Sequence, residues 1–351
     1  MISIKGEYID SRHLSQIYYG LQKLKEAGII TTHWETPIKR IDSKKPVLQL
    51  LINNKINVVY DTLDGFNWID DSKEKNLEFF KNHFENTYYF KRSFTKELNE
   101  YCQNNKKVFP LGFNYYLSSK PVNTSKNLAK YLEKKIRASR IICKLFNINS
   151  DNIKPEDFEN LPFPQKDSRV LFYTRLWCPD NTEIIEYKQK REEINLTRIA
   201  AVKACRKEFG SFFTGGIIKD NYSEKIASEL TVPNQKTNKL AYISQIKNHD
   251  ICIATTGLHD SIGWKTGEYV AAARAIVSEP FEYELPGNFQ NGQNYIEFTD
   301  VDTLINAISL LLNNKNLMHS IMLNNYYYYH SFLRPEIMVL NTFQKIGDKL
   351  F

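Results

Sequence analysis

Apolar bursts of four to six residues alternate along this chain with longer stretches whose apolar positions recur every three or four residues. The bursts read as strands and the stretches as helices. In the first 118 residues, strands are expected at 1–4, 47–52, 56–60, 88–90 and 108–109. Asn53-Asn54 between two of them is a turn signal. Leu14, Ile17, Tyr18, Leu21 and Leu24 lie on one face of a helix over 11–27, closed by Gly28. A short helix is expected over 97–104. From residue 168 the alternation is more regular. Strands are expected at 170–173, 211–214 (ending at Gly215-Gly216), 250–254 and 275–278, and helices at 191–209, 242–247, 268–274 and 302–313, the last capped by Asp300 or Asp302. Strands alternating with helices predict a parallel, doubly wound α/β sheet.

Four segments follow: an α/β domain over 1–118, a connector over 119–167, a second α/β domain over 168–330, and a terminal helix over 331–351. The connector joins a basic amphipathic helix, 127–146, to an irregular proline-bearing hinge. Lys126, Lys130, Lys134, Lys135 and Arg137 on that helix would suit peripheral contact with an acidic membrane face, though a solvated face accounts for them more simply. Tyr326 to Tyr329 read as an aromatic helix face packed between domains.

Composition narrows the function. The chain has 351 residues, 42% of them apolar, and no run near the roughly 18 apolar residues of a membrane span. The opening MISIKGEYIDSRHL lacks the apolar stretch of a signal sequence, so a cytoplasmic protein is expected, with the inner membrane face as its further place. The five cysteines are scattered, without a CxxC pair, and read as reduced structural thiols; no metal and no cofactor is expected. The net charge of +7 suits an anionic ligand. No helix-turn-helix, zinc-finger or aromatic RNA-binding signature accompanies it, so nucleic acid is not an expected partner.

Candidate chemistry concentrates between Cys252 and Pro280. The strand there breaks into Thr255-Thr256-Gly257, and the loop after it carries His259, Asp260 and Lys265 before Glu268 opens the helix. Ligands of such sheets sit beyond the carboxyl ends of the strands. Hydroxyls, free backbone N–H groups, Lys265 and the helix amino end all suit a phosphate. Arg175, closing the first strand of the domain, can hold phosphate oxygens through two parallel bonds. Glu268 can accept ribose hydroxyls, His259 can bond a sugar, and Gly216 and Tyr242 lie where a base is to be read. In the first domain Lys91 and Arg92 end one strand, and Asp61 and Asp64 follow another; either carboxylate is a candidate base, and turn support is the alternative.

These residues carry a resemblance. Asp260, seven residues, then Glu268 resembles the E-x7-E motif of retaining GT-B glycosyltransferases, and Glu268-Tyr-Val-Ala-Ala-Ala-Arg-Ala-Ile-Val277 resembles the segment that follows it. Arg175 falls at the place of the family's phosphate-binding arginine. Segments 86–92 and 110–115 are similar to bacterial surface-polysaccharide transferases. The resemblance implies two Rossmann-like domains facing across a cleft, with the terminal helix crossing back to the first. It implies a UDP- or GDP-linked sugar donor on the second domain and a glycan or lipid-linked acceptor on the first, with no divalent metal required. Glu268 would bind the donor ribose, Arg175 and Lys265 the diphosphate, and Asp260 the transferred sugar. The chain departs from the pattern at Asp260, at Thr174 (glycine in the family) and at Asp180 (lysine in the family). A sugar-nucleotide epimerase of the same fold and a non-catalytic anion-binding protein are the alternatives.

Overall fold

The computed structural model describes residues 1–35, 45–69, 72–84, 87–101, 107–119 and 152–350. The helix expected over 127–146, with its lysines, lies outside them, as do Cys102 and Cys143. The chain divides into two compact units. The first holds Met1–Asp157, Glu284–Pro286 and Ser331–Phe351, and the second Phe158–Tyr283 and Gly287–His330.

The sheet of the first unit has the order β2-β1-β3-β4-β5-β6. Its strands are β1 (Ile2–Glu7), β2 (Ile30–Glu35), β3 (Val47–Ile52), β4 (Ile56–Asp61), β5 (Tyr88–Lys91) and β6 (Val108–Pro110). All neighbours pair in parallel except β3, which runs against both β1 and β4. The reason is local. Asn53 and Asn54 both take left-handed backbone, φ 51° and 57°, which is the tight reversal that asparagine tolerates and a hairpin needs. Asn53 then ties the turn down, accepting from the Ser3 N–H at 2.8 Å and donating to the Leu350 carbonyl at 2.8 Å. The strand β2 and the helix α2 (Lys73–Phe84) were not anticipated from the pattern: β2 (ITTHWE) has only Ile30 and Trp34 as large apolar residues and α2 is polar on most of its surface.

Helix α1 (Ser15–Glu26) buries Ile17, Tyr18, Leu21 and Leu24, as its spacing predicts. A short α3 spans Glu97–Tyr101. The last long helix of the chain packs on α1 within this unit. Gly20 makes that approach possible, because a Cβ there would stand 2.3 Å from the Pro335 carbonyl oxygen. Gln16 Nε2 donates to the Leu333 carbonyl at 2.8 Å, and the Tyr60 and Thr342 hydroxyls meet at 2.6 Å.

The second unit holds β7 (Val170–Thr174), β8 (Phe213–Ile218), β9 (Thr231–Val232), β10 (Ile251–Ala254), β11 (Ala275–Ser278) and β12 (Tyr295–Glu297). All are parallel, in the order β12-β11-β10-β7-β8-β9. The chain works outward from β7 to β9, then returns to the other side of β7 as β10. The strand order reverses between β7 and β10, which is where doubly wound sheets open a crevice. Helices α4 (Ile185–Phe209), α5 (Asn221–Ala227), α6 (Lys239–Lys247), α7 (Trp264–Ala271), α8 (Val301–Asn313) and α9 (Lys315–Tyr328) complete the unit, and α10 (Pro335–Ile346) is the helix that packs on α1.

Three differences from expectation have physical causes. Strand β8 does not end at Gly215-Gly216 but runs through them, because backbone and side chains crowd both positions. A Cβ would come within 2.4 Å of the Phe172 carbonyl at Gly215 and 2.5 Å of the Leu230 carbonyl at Gly216. Helix α4 starts six residues before the expected 191, since its first turns face solvent (Ile185 is 70% exposed) and carry no apolar stripe. The four tyrosines do not share one face: Tyr328 and Tyr329 are buried, Tyr329 donating to Glu159 at 2.9 Å, while Tyr327 is exposed.

Gly20→Val should push α10 off α1 and lower the unfolding free energy by about 1–3 kcal/mol, the usual cost of overpacking. Urea unfolding checks this, and an unchanged midpoint would show that the contact does not hold the terminal helix.

Candidate functional site

One face of α4 holds the β7–β10 crevice open at its rim. Arg191 Nη1 donates to the Cys178 carbonyl at 2.8 Å. Asn195 accepts from the Trp177 N–H at 2.8 Å and donates to the Trp177 carbonyl at 2.7 Å. Arg198 reaches furthest: Nη1 donates to the Arg175 carbonyl at 2.7 Å, Nη2 to the Thr256 carbonyl at 2.9 Å, and Nε to Thr255 Oγ1 at 3.2 Å. The spacings of four and three put these residues on one helical stripe. Burial lowers the Arg198 guanidinium to about 10, against the pull of Glu279. Glu279, the first residue after β11, accepts from the Thr256 N–H at 2.6 Å and hydroxyl at 2.8 Å. Arg191, Asn195, Arg198 and Glu279 were not among the candidates. A signal existed: Asn195 and Arg198 sit on the buried stripe with Ala201, Val202 and Cys205, where a polar group needs a reason.

Lys265, one residue into α7, turns its amine inward and donates to the Tyr173 carbonyl. Its pKa falls to about 7, chiefly through burial, then through Arg198, with Arg175 and Lys239 adding to the effect and Glu268 opposing it. Three cations and one acid therefore act on this inward-turned amine. Glu268 is 2% exposed, and its Oε1 pairs with the Lys239 ammonium. Lys239 Nζ stands 5.1 Å from the Phe158 ring centroid and 5.9 Å from that of Tyr242. The Arg175 side chain is exposed and takes no partner among the described residues. Gly263 precedes helix α7, so no side chain closes its amino end. Unbalanced positive charge, a free guanidinium and an open helix amino end together are an arrangement that would suit an anion.

The structure brings Arg175, Lys265 and Glu268 to this place. It assigns the glycine-bearing loop a different task from the one expected. The Thr256 N–H is taken by Glu279, the Gly257 N–H donates to the Ser261 carbonyl at 2.9 Å, and the Thr255 hydroxyl accepts from Arg198. The N–H groups of Thr256 and Gly257 are thus not free for phosphate. Gly216 lies buried inside β8, and Tyr242 is buried with its hydroxyl bonded to that of Tyr269 at 2.9 Å; both are packing positions. His259 and Asp260 form a left-handed pair, φ 58° and 52°. The Asp260 carboxylate meets Lys190 at 3.0 Å, and the His259 ring stands edge-on to Tyr187 at 5.1 Å.

In the first unit, the structure corrects the reading of Asp61 as a base. Asp61 and Lys91 are both 0% exposed and pair at 3.2 Å. Asp61 also accepts from the Leu63 N–H at 2.8 Å, Trp68 Nε1 at 2.7 Å and the Tyr89 hydroxyl at 2.5 Å. A carboxylate with no exposed surface and four donors around it is held inside the fold and does not face a substrate. Lys91 donates to the Leu63 carbonyl at 2.8 Å and faces the Trp68 ring, so neither residue reaches a ligand. Burial lowers the Lys91 pKa and Asp61 holds it up. Arg92, buried, pairs at 2.6 Å with Asp64, whose side chain is 37% exposed. Burial and then Arg92 lower the pKa of nearby His13, while Asp64 opposes them.

Among the described residues no group of three or more His, Cys, Asp or Glu side chains could hold a metal ion. No described helix is long and apolar enough to cross a membrane.

No family model and no curated protein matches this chain. Several solved structures are similar to it. A glycosyltransferase from Rickettsia africae ESF-5 shares 10% identity at TM-score 0.43, over 96% of this chain and 82% of that one. Alr3699/HepE of Anabaena, solved in complex with UDP, shares 11% at TM-score 0.42, over 82% and 70%. WaaG, a glycosyltransferase involved in lipopolysaccharide biosynthesis, shares 10% at TM-score 0.40 over 75% of this chain, which spans 63% of WaaG.

Asp61→Asn should cost about 3–5 kcal/mol, since it strands a buried ammonium. A loss below about 1 kcal/mol in urea unfolding would place the pair with ordinary surface ion pairs. Lys265 titrates near 7 in the folded protein and near 10.4 when unfolded. Between those values the unfolded chain binds the extra proton, so this group makes stability rise with pH above 7. Urea midpoints at pH 7 and pH 9 should show that rise, and Lys265→Met should flatten it.

Proposed function

We propose that this chain is a GT-B glycosyltransferase whose second unit binds a nucleotide-sugar donor, UDP- or GDP-linked. The observation that carries the reading is the cation-rich switch point around Lys265 with the buried carboxylate of Glu268 one helical turn away. Two ligand parts are called for there, an anion and a hydroxyl-bearing group, and a nucleoside diphosphate presents both. Arg175, Lys265 and the amino end of α7 hold the diphosphate. Charge gathers on that group as the glycosidic bond breaks, and cations already in place stabilise it at no further cost in reorganisation. Arrival of the diphosphate raises the Lys265 pKa, so the amine becomes the ammonium when it is needed. Glu268 accepts from the ribose, and Asp260 with His259 contacts the sugar being transferred.

The acceptor is a glycan or lipid-linked precursor at the first unit, in synthesis of a bacterial surface polysaccharide on the cytoplasmic side of the membrane. With Asp61 consumed internally, the partly exposed Asp64, held by the buried Arg92, is the acid of that strand end left to meet it. The enzyme is of the hexosyltransferase type, and the resemblance favours the retaining course.

Arg175→Ala and Lys265→Ala should each lower turnover on the order of 100-fold with the matching donor. Near-wild-type turnover in both would end this reading. Conversion of a nucleotide sugar without any acceptor would identify an epimerase instead. A thermal-shift panel of UDP, GDP and ADP in which none stabilises the protein would leave only an anion-binding role.

A further inference from the structure

The amino ends of β7 and β10 carry a second charged surface, at the opposite end of the strands from the crevice. Residues 161–169 lead into β7 there, and Asn248 lies just before β10. Gln165, Lys166, Asp167, Arg169 and Asn248 line an open depression of about 440 Å³. Lys166 and Arg169 are exposed, and among the described residues their side chains take no partner. Lys315, the first residue of α9, donates to Ser168 Oγ beside them. Three cations thus gather against one exposed acid, Asp167. The other acid nearby, Asp250, is buried and meets Arg274 at 3.5 Å.

Next to these cations stand two uncovered apolar side chains. Leu161 is 58% exposed and Phe163 64%. The loop that presents them is held in place. Pro162 and Pro164 fix its φ angles. The Leu161 carbonyl accepts from Arg274 Nη2 at 2.6 Å, and the Gln165 N–H donates to Asp250 at 3.0 Å. The Phe163 ring lies 6.2 Å from that of His319, one turn beyond Lys315 on α9. Two apolar side chains are too small a core for a stable protein interface, which takes roughly 800 Å² from each partner. They suit the boundary layer of a bilayer, where a few apolar groups enter and cations meet lipid phosphates.

We propose that this end of the second unit docks on a membrane of acidic phospholipid. Leu161 and Phe163 enter the interface, and Lys166 and Arg169 take a headgroup phosphate in the depression behind them. The surface is separate from the lysines at 126–135, and it stands independently of the donor-site reading.

The test is co-sedimentation of the full chain with two kinds of vesicle, phosphatidylcholine alone and phosphatidylcholine with about a third phosphatidylglycerol. Partition onto the acidic vesicles should be about 10-fold or more the stronger, and added salt should release the protein. Lys166→Ala with Arg169→Ala should lower that partition about 10-fold or more, at roughly 5-fold for each cation. Leu161→Ser with Phe163→Ser should lower it several-fold. An unchanged urea midpoint shows that each variant is folded. Equal partition onto both vesicles, or binding by the unmodified protein that salt does not weaken, would overturn the proposal. Unchanged binding in either double variant would place the contact on another surface and overturn it too. Stabilisation by inorganic phosphate that Lys166→Ala with Arg169→Ala abolishes, without any vesicle binding, would leave a site for a free anion and end the membrane assignment.

Discussion

A single guanidinium, that of Arg198, holds the second unit's crevice in shape. It binds the carbonyls of Arg175 and Thr256 and the hydroxyl of Thr255, so the chain leaving β7 and the chain leaving β10 are fixed to one another. Those two strands flank the point where the strand order reverses. Without such a tie the two loops would be free to move apart, and a site built on both would lose its geometry. Burying the cation is costly, and the cost is offset by three oxygen partners and by Glu279.

The same charge shapes the chemistry next to it. Arg198 is the largest electrostatic cause, after burial, of the low pKa at Lys265. The crevice thus holds an amine in a field of like charges, a repulsion that an anion would relieve. Arg198 both ties the two loops and contributes to the positive field at Lys265, so a substitution there would alter both at once. The acids divide the work: Glu279 closes the Thr256 backbone, and Glu268 is held by Lys239.

The first unit uses buried charge differently. Asp61 and Lys91 end adjacent strands, where ligands of such sheets are met, yet both are sealed in by Trp68, Tyr89 and the Leu63 backbone. Charged residues at a strand end are a reason to look for a site and not a demonstration of one. Arg92 and Asp64, one and three residues further along their segments, are the pair that remains at the edge.

Much of the architecture could be read directly from residue pattern, because it depends on local physics. The strands at 47–52, 56–61, 170–174, 251–254 and 275–278 are short apolar runs, and their periodicity and flanking turns mark them without reference to the rest of the chain. The Asn53-Asn54 reversal and the Asp300 cap are likewise local. That Arg175, Lys265 and Glu268 lie near one another was legible because strand ends and helix starts can be located in one dimension. Other features depended on partners distant in sequence. Arg198 acts through residues 23 and 58 positions away, and Lys239 through one 29 positions away. The same is true of Gly215 and Gly216, set by the Phe172 and Leu230 carbonyls, and of Asp61, whose availability as a base was decided by Tyr89 and Lys91 on the next strand. Which polar groups are spent inside the protein and which are left for a ligand is a matter of long-range packing, and only the folded chain assigns it.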